Sequence, residues 1–365
     1  SLGFENVHVE TFETSSWLRG AEAAEVTGPF PQKLSILGLG RSTPTPKGGI
    51  EAEIALFPTL EAMLAQPEGA LKGKIAVVTQ RMRRTQGPLG YFAANPARSV
   101  GGVEAARRGA VAYLVRSLST DDTRLPHTGG ARPSGIPMAA LSTPDAELLE
   151  RMVARGEPVR IKLSLDSTFR EKVPAYNVVG ELRGREAPQE VVVIGGHLDS
   201  WDPATGAVDD AAGIGITTGA AKLIAGLPQR PRRTIRVVMW GAEEQGGSGA
   251  AYGAAHRDEV PNLVLAGESD LGAGEIWSAN LPAGSRDHPA MKAFAAAVAP
   301  LKVIVTPEPA RQGGADIGDL MRQGVPFADP HQEAGPYFLL HHPADDTLDK
   351  IGPEELAQNV SVWAA

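Results

Sequence analysis

The chain has 365 residues, 42% of them hydrophobic, which is enough for more than one buried core. It contains no cysteine, which excludes disulfides, thiolate metal sites and a cysteine nucleophile, so His, Asp and Glu must supply any metal site. A formal charge of -8 argues against nucleic acid as a partner, because phosphate binding needs clustered Lys and Arg, and no apolar run approaches the roughly 20 residues of a membrane span.

The residues through 28 are mixed in texture, end in the turn-rich VTGPFP, and open on SLGFENVHVE, which lacks the basic start and apolar run of a signal peptide. From 29 to 168 the pattern is that of a small α/β unit. Its β-like runs are LSILGLG (34–40), IEAEIALFP (50–58), GKIAVV (73–78), VAYLVR (111–116) and VRIKLSL (159–165). A Gly/Pro/Arg-rich loop is expected from about 80 to 100, with helices over 102–110 and 144–156. From 169 to 365 strands and helices alternate: YNVVGEL, VVVIGG, a helix from Asp210 to about Ala225, TIRVVMWG, a helix over 248–256, and NLVLAGESD. Such alternation predicts a parallel or mixed sheet with helices on both faces, in which ligands gather at the carboxyl ends of the strands.

Those ends carry ionisable groups repeatedly. His197 and Asp199 follow VVVIGG, with Asp209 and Asp210 at the next helix start; Glu243 and Glu244 follow VVMWGA; Asp270 follows LVLAGES; His341 and His342 follow YFLL, read as a further strand. Singly, each has a plainer explanation: His197 as a hydrogen-bonded structural histidine, Asp209 and Asp210 as a helix N-cap, the Glu pair as acids favoured by a helix dipole. Together at one sheet edge they would concentrate negative charge in a partly desolvated place, and metal cations are the simplest compensation. Nitrogen and oxygen donors without sulfur suit zinc, with manganese or cobalt less favoured.

The segments HLDSWDPATGAVDDAAG, WGAEEQGGSGA, GESDLG and HHPADDTLD resemble, in order and spacing, the four metal-site blocks of the co-catalytic dizinc aminopeptidase and glutamate carboxypeptidase family. GKIAVV followed by GGVEAARRGAVAYLV is similar to a protease-associated domain inserted in that catalytic fold. The resemblance implies a mixed, largely parallel central sheet with helices on both faces, divided into an N-terminal catalytic part (1–28), an inserted α/β protease-associated domain (29–168) and the dizinc catalytic domain (169–365). It implies two Zn2+ ions bridged by Asp209, one completed by His197 and Asp270 and the other by Glu244 and His342. His342 is preferred over His341 because the family's ligand lies four residues before the Asp of an Asp-Thr pair, here Asp346-Thr347. Glu243 would be the general base, Asp199 the carboxylate receiving the second imidazole N–H of His197, and His341 a donor to the developing oxyanion.

By the same resemblance Gly313, Gly314 and Asp316 line a substrate pocket for short peptides with a free N-terminus, whose ammonium would meet Glu243 and Asp270. Secreted or periplasmic placement, with the targeting segment outside this chain, and a homodimer are implied likewise. Trp201 reads as core, with packing beside the site as the alternative, Asp210 reads as a cap, Asp202 has no assignment, and His8, His127, His256, His288 and His331 read as structural. Two alternatives share the architecture: a non-catalytic receptor-like ectodomain and a single-zinc glutaminyl cyclase. The intact set of five ligands and a base favours a peptidase over both.

Overall fold

Two groups of buried parallel strands are joined by one long antiparallel ribbon into a sheet of 11 strands. The computed structural model describes residues 3–365. The first half runs β1 (Glu5–Gly28), β2 (Gln32–Leu34), β3 (Ile36–Gly38), β4 (Ile50–Phe57), α1 (Leu60–Leu64), β5 (Ile75–Val78), α2 (Leu89–Ser99), α3 (Gly101–Arg107), β6 (Ala112–Arg116), β7 (Met138–Leu141), α4 (Thr143–Val153) and β8 (Arg160–Leu182). The second runs β9 (Ala187–His197), α5 (Ala212–Ala225), β10 (Arg233–Trp240), α6 (Ser248–Ala255), β11 (Leu263–Glu268), β12 (Ile276–Leu281), α7 (Pro289–Val298), β13 (Ile304–Pro309), α8 (Gly318–Arg322), β14 (Asp329–Gln332), α9 (Ala334–Leu340) and α10 (Pro353–Ala364).

The ribbon is β1 against β8, paired from Glu5 opposite Glu181 to Gly28 opposite Arg160. At its Arg160 end β8 alternates exposed and buried residues, with Ile161, Leu163 and Leu165 turned into a core shared with Ala24 and Val26 of β1. The first part of β8 also pairs with β4, and its last part with β10, so position 168 lies inside a strand common to both halves. Beyond β4 the strands β5, β6 and β7 are buried on both faces and read as continuous apolar runs, the composition expected of a parallel sheet with covered faces. Strands β9, β10 and β11 form the second parallel group, with β9 in the middle. A separate three-stranded sheet, β13-β12-β14, packs beside α7 and α10.

Two expectations are corrected. The segment expected as loop from about 80 to 100 contains helix α2, although Pro96 lies inside it. Burial of Ala94, Ala97 and Arg98 there outweighs the local penalty for a proline close to a helix end. The YFLL segment (337–340) is helical, part of α9, whose N-terminus is capped by the Glu333 carboxylate accepting from the Gly335 N–H. A four-residue apolar run has too little length to separate strand from helix.

An ionic knot fastens β1 to α6. His256 lies with Nε2 2.8 Å from Glu10 and Nδ1 3.0 Å from Glu259, while Arg236 donates to Glu259 (2.7 Å) and Glu181 (2.8 Å). Burial works against a charged His256, but Glu10 and Glu259 prevail and raise its pKa above the ordinary value. The stabilisation from this group is therefore complete below the unfolded-state value of about 6.5 and is lost as pH rises through the higher folded-state value. His256→Gln is expected to remove that part of the pH dependence, read as the denaturant midpoint measured from about pH 6 to 9.

Candidate metal centre

Parallel pairing sets the site. His197 ends β9 opposite Trp240, the last residue of β10, while Glu268 at the end of β11 lies opposite Gly195. The residues that leave β10 and β11, Glu243, Glu244 and Asp270, thus emerge at the same sheet edge as His197. The chain after β9 returns through a loop and a distorted turn, in which Asp209 and Asp210 are non-helical, into α5. Asp346 holds that turn by accepting from the N–H groups of Val208 (2.5 Å) and Asp209 (3.1 Å). His341 and His342 follow α9, and His342 takes a left-handed backbone conformation (φ 75°) that a non-glycine residue adopts only when its surroundings require it.

Asp209 stands at the middle of the cluster. Its Oδ1 is 3.1 Å from His197 Nε2, which is also 3.4 Å from Asp270 Oδ1. Its Oδ2 is 3.1 Å from His342 Nε2, which is also 3.3 Å from Glu244 Oε1. Asp209 Oδ2, Glu244 Oε1 and Asp270 Oδ1 are buried and have no hydrogen-bond partner among the described residues. Buried carboxylate oxygens that approach imidazole nitrogens yet make no hydrogen bond fit donors aimed at a common cation. Each imidazole is oriented from behind: His197 Nδ1 faces the Asp199 carbonyl at 2.8 Å, and His342 Nδ1 faces the Thr128 carbonyl at 3.1 Å. Both rings thereby present Nε2 to the centre.

The electrostatics carry the same demand. Burial and then the charges of Asp270 and Glu244 hold the Glu243 carboxyl well above its usual range. Burial also raises Glu244 and Asp270 in spite of nearby imidazoles. Burial would lower His342, but Glu244 and Asp209 push it up to about 10, and Asp270, Asp199 and Asp209 likewise overcome burial at His197. Protons on imidazole thus occupy the place of the positive charge that the carboxylates require. Asp209, flanked by both rings, is held well below the usual range although burial opposes this. The cluster opens into a cavity of about 970 Å3 lined in part by α2 and by the Gln312–Gly318 segment.

Residues 177–365 match the family description Peptidase family M28. The chain is also 35% identical to Carboxypeptidase Q of Mus musculus over 99% of its own length and 76% of that protein. The chain belongs to peptidase family M28. A crystal structure of a peptidase M28 precursor from Shewanella amazonensis SB2B superposes on this M28 chain with a TM-score of 0.96, at 42% identity, covering all of this chain and 83% of that one. BSAP, a zinc aminopeptidase from Bacillus subtilis, shares the fold at a TM-score of 0.67 and 18% identity over all of this chain and 84% of that one.

In this M28 chain His197, Asp209, Glu244, Asp270 and His342 lie together, and Glu243 lines the cavity beside them. His341 stacks on His342 with ring centroids 3.5 Å apart, and its Nε2 is 3.9 Å from Asp209. Gly313 and Gly314 line the cavity. Asp210 caps, its Oδ2 accepting from the N–H of His197 (3.0 Å) and its Oδ1 from that of Gly213 (3.1 Å), and with His197 and Asp270 it forms a further group of donors close enough to hold an ion.

Two assignments are corrected. The carboxylate of Asp199 does not take the His197 N–H; its Oδ1 is 3.7 Å away, and it accepts instead from the N–H groups of Glu243 (2.9 Å) and Glu244 (3.2 Å), so it sets the loop that carries the Glu pair. Asp316 lies behind the cavity wall, bonded to Ser248 and raised to about 7 by burial. Trp201 is buried, as its core reading has it, and also sits beside the site, where its indole N–H donates to Glu244 Oε2. Missed entirely were Glu268, Tyr91 and Arg98, which line the cavity, and the anchoring by Asp346. Only the GESD block hinted at Glu268; no local pattern marks the others. Asp199→Ala, which removes the acceptor of two backbone N–H groups, is expected to cost about 1–3 kcal/mol in a denaturation experiment on the metal-free protein.

Proposed function

We propose that the chain hydrolyses peptide bonds of short peptides with a free N-terminus, as a dizinc metallo-exopeptidase. The observation that carries this is Asp209, one carboxylate whose two oxygens face two separate sets, His197 with Asp270 and His342 with Glu244. One zinc would be held by His197, Asp209 and Asp270, the other by Asp209, Glu244 and His342. Membership of a peptidase family, the likeness to Carboxypeptidase Q and the fold shared with a zinc aminopeptidase support peptide hydrolysis and the choice of metal. When bound, the ions supply Lewis acidity that polarises a carbonyl and lowers the pKa of a water from about 15.7 towards about 7.

Glu243 is the general base in this scheme. It stands outside both ligand sets and lines the cavity, and burial with Asp270 and Glu244 raises its carboxyl, which favours its taking a proton and returning it to the leaving nitrogen. Asp199 holds the backbone of Glu243 and Glu244, so that Glu244 would serve as a metal ligand while Glu243 stays available for proton transfer. His341, kept neutral by burial, donates to the oxyanion that forms on the attacked carbonyl. Glu268 and Asp270 line the same cavity and receive the substrate ammonium. Against a binding-only ectodomain and a single-zinc cyclase stands the complete set of donors on both sides of Asp209.

Metal analysis of purified protein is expected to give two zinc ions per chain, with chelator abolishing peptidase activity and Asp209→Asn lowering both zinc content and turnover. Full activity in metal-free protein would overturn the scheme. Glu243→Gln is expected to keep both ions and to lower kcat by about 10²- to 10⁴-fold, the contribution of a general base. A wild-type rate from that variant would remove Glu243 from the mechanism.

A further inference from the structure

The two donor sets around Asp209 are supported from different parts of the chain. On one side, the Thr128 carbonyl faces His342 Nδ1 at 3.1 Å, and Trp201 donates its indole N–H to Glu244 Oε2. That leaves Glu244 Oε1, buried and without a hydrogen-bond partner among the described residues, as the oxygen for an ion. On the other side the supports come from within the second half: the Asp199 carbonyl faces His197 Nδ1, and Asp210 accepts from the His197 N–H.

Thr128 and Trp201 meet at one side chain of β1. Arg19 donates from Nε (2.8 Å) and Nη2 (3.0 Å) to the two oxygens of Asp202, a bidentate grip on the residue next to Trp201. The same Nη2 donates to Thr128 Oγ1 at 3.2 Å, and Nη1 is fixed on the Gly38 carbonyl at 2.7 Å. The Arg19 side chain is only 9% exposed, so these bonds are shielded from water. Trp17, two residues earlier and on the same face of β1, meets Trp201 edge-on with ring centroids 6.3 Å apart. Any side chain at Gly40 would collide with the Trp201 ring, so the indole has one place to lie.

We propose that Arg19 is a positioning residue for one of the two metal sites, the one made by Glu244 and His342, and that Asp202 is its partner in that role. Through Asp202 it sets the loop that aims Trp201 at Glu244; through Thr128 it sets the carbonyl that aims His342. A planar fork can serve a carboxylate, a hydroxyl and a carbonyl at once, which the point charge of a lysine cannot. The His197 and Asp270 site has no share in this arrangement, so loosening the seam between β1 and the loop after β9 weakens one ion and spares the other. The inference rests on the two-zinc reading for the identity of the ions, and metal binding tests it apart from turnover.

The test is zinc titration of metal-free protein by chelator competition, which reads the affinity of each ion without any substrate. Arg19→Ala is expected to weaken one ion about 10- to 100-fold, the scale for residues that orient metal ligands, and to leave the other unchanged. In a His197→Ala background, which keeps the Glu244 and His342 site, adding Arg19→Ala must lower the affinity; in a His342→Ala background it must not. Arg19→Lys, which keeps the charge and loses the fork, should fall between wild type and Arg19→Ala. Should Arg19→Ala fail to fold, Asp202→Asn, at a side chain 51% exposed, is read in the same way. Two ions weakened alike, or neither weakened, overturns the inference and leaves the two-zinc reading standing. A wild-type chain that holds a single ion, weakened by His342→Ala and by Arg19→Ala, upholds the inference and fails the two-zinc reading, whereas a single ion insensitive to Arg19→Ala overturns both.

Discussion

The carboxylate of Asp209 is the constraint around which this molecule is organised. It is buried, it faces an imidazole from each side, and it sits among Glu243, Glu244 and Asp270, an arrangement that opposes itself unless positive charge is supplied. Burying an unpaired carboxylate costs several kcal/mol, so a fold that gathers several at one edge is stable only with cations or protons among them. The anchoring is correspondingly thorough: Asp346 fixes the Asp209 backbone, Asp210 ties the turn to the His197 backbone, and Asp199 ties β9 to the Glu243-Glu244 loop.

Much of that support comes from the first half of the chain, which provides none of the proposed ligands. The Thr128 carbonyl faces His342 Nδ1 and also accepts from Arg98. His127 Nδ1 lies 2.7 Å from the His341 carbonyl, and Ser119 donates to the Phe338 carbonyl. Tyr91, from α2, stacks on Phe338 and meets His341 edge-on. Met82, Ala94 and Leu118 share a core with Val208, Tyr337 and Phe338. The first half of the chain therefore forms one wall of the site and orients one proposed ligand.

The legible features were those with strong local causes. The runs VVVIGG and TIRVVMWG, rich in β-branched residues, read as buried strands, and acids placed directly after them must collect at one edge once the strands pair in parallel. Failures came where a local signal was short or was overruled. YFLL was too brief to separate strand from helix, and Pro96 suggested a loop where burial of α2 sustains a helix. Asp199 was assigned by its spacing to His197, yet the backbone carbonyl of that residue reaches the ring first, and the carboxylate is free to bind a loop from another strand.

By itself the sequence determined the chemistry on offer: no thiolate, several acids and imidazoles at strand ends, and an adjacent Glu pair able to divide two tasks. It also carried the family resemblance, because ligand blocks are contiguous. Only the tertiary structure decided which oxygen of Asp209 faces which imidazole, and that Thr128 and Trp201 support the cluster. Backbone carbonyls have no sequence signature, and side chains far apart in the chain become neighbours only through sheet register and packing.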